Sequence, residues 1–312
     1  MKQRRFVPLI VLAIVGVTAI TINAAVLIAG RDGIDPLPIV EKANGKLAFG
    51  SDREGSDDIY VMWSDGSGLA QLTDTEGSDN YPDWSPDGKR IVFTSEREHN
   101  TDIYVMGEDG TQVKRLTAHP ELDGYPVWSP DGSRIAFMSD RDGNFEIYSM
   151  NADGSEVTNL TRDHGFDSDP TWSPDGTKIA YTSNRTGRVA IYVMNADGTG
   201  RVKLSHGEDI QEDYASWSPD GSKIAFMSDR DGSSFGIYVM NADGSGVRQL
   251  TTSDEEHDYP NWSPDGTKLV FNAYSEAGSR ISLIDMVGGG ERPLTDDLSN
   301  SCCAAWQPVP IA

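Results

Sequence analysis

Six short segments of this sequence each run into a tryptophan: DNYPD before Trp84, DGYPV before Trp128, DSDPT before Trp172, EDYAS before Trp217, HDYPN before Trp262 and SCCAA before Trp306. They bring Asp79, Asp123, Asp167, Asp169, Glu212, Asp213 and Asp258 to nearly one phase, with Tyr81, Tyr125, Tyr214, Tyr259 and His257 beside them. Gathered on one surface, such carboxylates make a socket for a cation, a basic peptide or a sugar-like ligand, and the tyrosines add stacking area. The ring leaves room for a calcium or other divalent ion. A competing use exists for the same acids. Arg53, Arg97, Arg141, Arg185 and Arg230 recur in SDR-type stretches, and their guanidinium forks suit carboxylate pairing. Residues repeated in a repeat protein commonly serve the repeat itself.

Catalytic chemistry is thinly represented. Gly232-Ser233-Ser234-Phe235-Gly236 has the G-x-S-x-G spacing of a nucleophile elbow, but it falls between two strands rather than between a strand and a helix. His99, His119, His164, His206 and His257 stand at different phases of the repeat, so they offer no symmetric metal set. No phosphate-cradling glycine loop or cofactor fingerprint is present. The aspartates of the recurring NADGS turn lack the distant glutamate of a calcium loop and read as hairpin turns.

The elements that must position these residues follow from the period. WSPDG begins at Trp84, Trp128, Trp172, Trp217 and Trp262, with Trp306 keeping the beat, at steps of 44 or 45 residues. A fixed period of this size signals stacked supersecondary units. Each unit holds four apolar stretches too short for helices, exemplified by PTWS, KIAYTS, AIYVMN and RVKLS, separated by PDG- and ADG-type turns. Proline presets the first corner of each turn, aspartate caps backbone amides, and glycine takes the left-handed position. Each unit is therefore a four-stranded antiparallel meander, its strands A to D. Stretches such as Ile135-Ala136-Phe137-Met138 are apolar on both faces, as a blade packed between two blades requires. The first B, C and D stretches have no A before them, and the last A has nothing after it. Closure by Ala304–Pro308 joins the two, which predicts an all-β, six-bladed β-propeller with no exposed edge.

WSPDGSRIAFMSDRDGNFEIYSMNADGSEVTNLT resembles the repeat of the TolB-like propeller family, and the likeness runs from about Asn44 to Pro308. The resemblance implies an exported binding propeller. TolB proper carries a further α/β domain before its propeller, and the short stretch Arg31–Ala43 has no room for one. The expectation is a TolB-like propeller without that domain.

The remaining bounds concern location and partners. Met1–Arg5 is a basic tip, and Phe6 to Gly30 carries no charge, long enough to span a bilayer as a signal anchor. Cleavage after Val17-Thr18-Ala19, giving a secreted or periplasmic protein, is the shorter-segment alternative. The domain reading is residues 1–5 tip, 6–30 transmembrane anchor, 31–44 linker, 45–308 propeller and 309–312 tail. The charge of −23, from 49 acidic and 26 basic residues, argues against nucleic-acid partners. The adjacent Cys302 and Cys303 have Cα atoms ~3.8 Å apart, below the usual disulfide range of roughly 4.4–6.8 Å, and read as two buried thiols. The functional expectation is a monomeric, membrane-tethered module that presents its channel mouth to an extracytoplasmic protein, peptide or cell-wall component. A lyase or hydrolase of polysaccharide or peptide working in the channel is the alternative. A histidine and carboxylates gathered as a metal site at the mouth would favour it.

Overall fold

A computed structural model describes residues 45–308, apart from 206, 208, 233, 253, 288, 297 and 298. The proposed anchor and tail lie outside the described residues. Among the described residues no helix is long and apolar enough to cross a membrane.

Twenty-four strands form six four-stranded sheets, each antiparallel from its inner strand outward. The inner A strands of blades 2 to 6 are Asp79–Trp84, Asp123–Trp128, Asp167–Trp172, Glu212–Trp217 and Glu256–Trp262. Blade 1 takes its inner strand from the other end of the chain, Ser301–Trp306, which pairs with Lys46–Ser51 through Leu47↔Trp306 and Ser51↔Ser301. Gln307 extends the seam, its amide donating to the Lys46 carbonyl at 2.8 Å and its side chain to the Gly88 carbonyl of blade 2 at 2.9 Å. Closure by a carboxy-terminal strand is as expected, but the strand is Ser301–Trp306, three residues earlier in its start than Ala304–Pro308. It lets each apolar face meet another blade: Leu47, Phe49 and Trp306 pack on Val270, Ile281 and Leu283 of blade 6, while Ala48 and Ile59 pack on Trp84 and Phe93 of blade 2. Strands buried on both sides can then be apolar throughout.

The turns after each tryptophan are self-contained. In the first, Ser85 Oγ donates to Asp87 Oδ1 at 2.6 Å, the Lys89 amide donates to the same oxygen at 3.1 Å, and Gly88 adopts φ +68°. Those bonds hold the Asp87 carboxyl below its usual range, the Ser85 hydroxyl first. These bonds close the turn on itself. The opposite face carries the B-to-C and D-to-A loops and the start of each inner strand.

Candidate functional site

The acids at the start of the inner strands divide into two groups. Asp79, Asp123, Asp167 and Glu212 are fully buried, each under an arginine of its own blade. Arg97 Nη2 reaches Asp79 at 2.9 Å, Arg141 Nη2 reaches Asp123 at 2.6 Å, Arg185 Nη2 reaches Asp167 at 3.0 Å, and Arg230 pairs with Glu212. Each arginine also lies over the strand-B ring and the strand-C tyrosine, as Arg97 does 5.3 Å from Phe93 and 4.7 Å from Tyr104. The expectation that these four acids rim an open mouth is therefore corrected. A single carboxylate beneath a stacked guanidinium is neutralised and shut away from solvent, and the competing assignment to arginine pairs holds in blades 2 to 5.

His257, at the same position in blade 6, is also buried, and its Nε2 lies 3.7 Å from Glu291 Oε2. This blade has lost its arginine and its strand-C tyrosine, to Ser275 and Ser282. Arg280 and two glutamates occupy the region instead. Ligand-type atoms of Glu255, His257 and Glu291 lie within 4.8 Å of one another, the one such grouping among the described residues. Arg280 Nη2 sits 2.5 Å from Glu255 and 3.7 Å from Glu291, so a guanidinium already supplies positive charge there. His99, His119 and His164 join no such grouping, and His206 lies outside the described residues. The G-x-S-x-G serine, Ser234, sits in a loop between two strands rather than at a strand-to-helix turn.

The second group faces the axis. Tyr81, Tyr125, Asp169, Tyr214, Tyr259 and Cys303 hold one equivalent position, three residues before each tryptophan, and all six have left-handed φ, between +48° and +62°. At each of them the pairing between strands A and B shifts register. A bulge of this kind re-aims one side chain out of the sheet, and a left-handed non-glycine residue costs of order 1–3 kcal/mol. Here the six re-aimed side chains line the axial channel. The tyrosines crowd it: Tyr81 and Tyr125 stack at 4.0 Å between ring centroids, Tyr214 and Tyr259 at 3.8 Å, and Tyr81 approaches Tyr259 at 5.9 Å across the small Cys303. Tyr125 Oη donates to Tyr81 Oη at 3.0 Å. The six side chains line a cavity of about 120 Å³, together with Pro82, Pro126, Pro170, Pro260, Asp83, Thr171, Ser216 and Asn261 of the same strands.

Asp169, Asp213 and Asp258 remain without a basic partner among the described residues. Thr182 Oγ1 and the Tyr214 amide donate to Asp213, and Asn272 Nδ2 (2.7 Å) and Tyr274 Oη (3.0 Å) donate to Asp258. Burial, then the Asp213 charge, raises the Asp169 carboxyl well above its usual range. Burial also raises Asp213, against the pull of its two donors. It pushes Asp258 up to about 7, again against its hydrogen bonds, with Asp213 adding repulsion. Three carboxylates on adjacent blades 4, 5 and 6, of which Asp169 lines the channel, thus lie near enough to resist ionising together. The tyrosines respond in kind, Tyr125 rising to about 12 through burial and then the Asp169 charge.

Two members were not singled out from sequence. Asp83, whose Oδ2 accepts the Trp128 amide at 2.7 Å, is pushed up to about 7 by burial. Cys303 completes the tyrosine tier, and Cys302 is half-buried rather than buried; both thiols are free. The shared column three residues before each tryptophan was the available signal for Asp83's neighbours and Cys303.

A ring of six tryptophan-bearing blades, sealed by the carboxy-terminal strand, has its counterpart among known proteins. Residues 118–308 match the family model of the TolB beta propeller domain. The chain belongs to that family. Residues 55–144 also match the Tricorn protease N-terminal beta propeller domain. Among solved structures, this TolB-like propeller is similar to TolB from Acinetobacter baumannii, with 24% identity over 86% of this chain and 68% of that one, and a TM-score of 0.76. It is similar to a putative TolB from Agrobacterium tumefaciens, with 25% identity over 85% and 98% of the two chains and a TM-score of 0.67. An oligogalacturonate lyase in complex with manganese shares the fold at 18% identity over 81% and 74%, with a TM-score of 0.57. No curated protein matches the sequence.

Proposed function

We propose that this chain is a non-catalytic binding propeller, carried on the extracytoplasmic side of a membrane by residues 6–30, and that its channel mouth takes a positively charged segment of a protein or peptide. The observation that carries this reading is the set Asp169, Asp213 and Asp258, close together with no basic partner among the described residues, beside a wall of tyrosines held in strained backbone. Strain and charge repulsion both cost stability in the free protein, and a bound ammonium or guanidinium group would relieve the second. Tyrosine faces around the axis suit the same cations. Kinship with TolB-type propellers supports an envelope location.

Titration of the full chain with a tetralysine peptide tests it. The wild type should gain thermal stability saturably, and Asp213→Asn/Asp258→Asn should not. Equal responses in the two proteins would exclude the mouth as the cation site.

One observation favours a second reading. Glu255, His257 and Glu291 have the ligand types of a divalent transition-metal site, which a lyase or hydrolase of polysaccharide or peptide could use. Arg280 opposes it by occupying the charge. Stoichiometric zinc or manganese in the purified protein, lost in His257→Ala, would establish the enzyme reading; a metal-free protein would remove it.

A further inference from the structure

Away from the channel, one place on the mouth face departs from the repeat. In blades 2 to 6 the A-strand acid or histidine donates its amide to a B-to-C loop carbonyl of the preceding blade, as Asp167 does to Phe145 at 2.9 Å. The residue just before that acid is thereby set beside the loop residue. The pairs so formed are Asp57 with Ser78, Thr101 with Leu122, Val189 with Gln211 and Phe235 with Glu256. The backbone contact therefore needs no aromatic pair; between blades 1 and 2 it carries a hydrogen bond instead, Ser78 Oγ donating to Asp57 Oδ2 at 3.0 Å. Between blades 3 and 4 both residues are aromatic. Phe145 and Phe166 meet edge to face, their ring centroids 5.3 Å apart at 67°, and Phe166 is 39% exposed.

A lone exposed phenylalanine would need no explanation, but this one stands on a fixed loop beside a cavity. Asn184 Oδ1 accepts the Phe166 amide at 2.8 Å, and the Asn184 amide donates to the Phe166 carbonyl at 3.1 Å. Asn144 Nδ2 donates to the carbonyls of Asp163 at 3.1 Å and Gly165 at 2.7 Å. Glu146 Oε1 accepts the Asp163 amide at 2.7 Å, and Asp163 Oδ1 accepts that of Gly165 at 2.8 Å. A Cβ on Gly165 would lie 3.1 Å from Arg185 Cα, so the loop is seated tightly against blade 4. The two rings line a cavity of about 310 Å³ together with Asp140, Asn144, His164 and Asn184. That volume reaches the lower end of small-ligand sites, roughly 300–1,000 Å³. Residues 139–146, 160–167 and 183–190, which build it, are described throughout.

We propose that Phe145, Phe166, Asn144 and Asn184 form a subsite for a neutral sugar ring, on the mouth face between blades 3 and 4. The wall mixes two phenyl rings with two amides, a carboxylate and an imidazole. An aliphatic side chain would cover the rings but bury the polar groups unpaired. A sugar ring presents C–H groups to the aromatic faces and hydroxyls to the amides, and so meets both. Asn184 has its oxygen committed to the loop and Asn144 its nitrogen, so the first offers donors and the second an acceptor. Asp140 and Asp142 on the adjoining loop, with the chain's charge of −23, disfavour an anionic sugar. Because the loop is already fixed, little further entropy is given up on binding. The subsite shares no lining residue with the channel and does not depend on the function proposed for it.

The experiment titrates the full chain with maltotriose, cellotriose and chitotriose and follows the side-chain amide resonances of Asn144 and Asn184 and the ring resonances of Phe145 and Phe166. At least one of the three should move all four groups saturably, and the anionic trigalacturonate should bind more weakly. Phe166→Gln installs the residue that blade 5 has at this position, and Phe145→Thr the residue of blade 2, so both should fold with little change in Tm. Each should weaken sugar binding about tenfold. Should one variant fail to fold, the other carries the test. Asp213→Asn/Asp258→Asn should bind the sugar as the wild type does, which separates this subsite from the channel. Absence of a saturable response to all three neutral sugars overturns the proposal and assigns the rings to loop packing. Equal binding of trigalacturonate, or undiminished binding in a folded Phe166→Gln or Phe145→Thr, overturns it as well.

Discussion

Glu212 and Asp213 are neighbours in the chain and have opposite fates. Glu212 lies beneath Arg230, fully buried, neutralised and out of reach. Asp213 is held by a threonine hydroxyl and a backbone amide but by no basic partner among the described residues, and its charge raises the pKa of Asp169, in the channel lining, and of Asp258. Asp167 and Asp169 repeat the contrast two residues apart. One tier of acids holds each blade to itself. The other is left uncompensated at the axis. The lesson is that acid count and phase do not identify a binding ring; a counter-charge beside each acid decides what it does.

Breaking the paired tier should have the largest effect. Asp123→Asn removes the carboxylate beneath Arg141, and thermal or urea unfolding should show a loss of about 2–3 kcal/mol. That is somewhat below the ~3–5 kcal/mol of a wholly buried pair, because Arg141 remains partly exposed. A neutral result would place the pair among surface ion pairs and dissolve the contrast.

The channel tier predicts a smaller effect of pH with a definite sign. Asp83 and Asp258 have folded pKa values raised to about 7, and Asp169 and Asp213 are raised as well. The folded chain holds these protons more tightly than the unfolded chain, whose aspartates titrate near ~3.9. Their stabilising contribution is complete below that lower value and is lost as pH rises through about 7. Tm should therefore fall between pH 5.5 and 8.5 at low salt. A Tm that climbs across this interval would contradict the assigned shifts.

The smallest effect isolates the tier. Asp213→Asn/Asp258→Asn should raise Tm at pH 8.5 by about 2–4 °C, the shift expected for roughly 1 kcal/mol in a domain of this size, and should flatten the pH slope. The gain should shrink as added salt screens the repulsion. Destabilisation instead would mean that the hydrogen bonds from Thr182, Asn272 and Tyr274 outweigh the repulsion, making these acids scaffold like the others.

The architecture was legible because its causes are local and repeated. Proline, aspartate and glycine act within a single turn, and strand length and apolar content are properties of a few consecutive residues. Even the closure by Ser301–Trp306 could be counted, since one inner strand was missing at one end and one was spare at the other. The tyrosines and acids before each tryptophan were likewise visible as a column, and the arginine pairing stood among the alternatives.

The tertiary structure alone decided which acid met which arginine, because the partners lie 18 residues apart in sequence and meet only when strand A folds against strand B. It alone showed the left-handed bulge that swings Tyr81, Tyr125, Asp169, Tyr214, Tyr259 and Cys303 into the axis, since tyrosine has no intrinsic preference for that conformation and the closed ring must impose it. It also separated Asp169, Asp213 and Asp258 from Asp79, Asp123 and Asp167. Composition and spacing present them as one set of carboxylates; burial and the distance to a positive charge, which exist only in the folded ring, make them two.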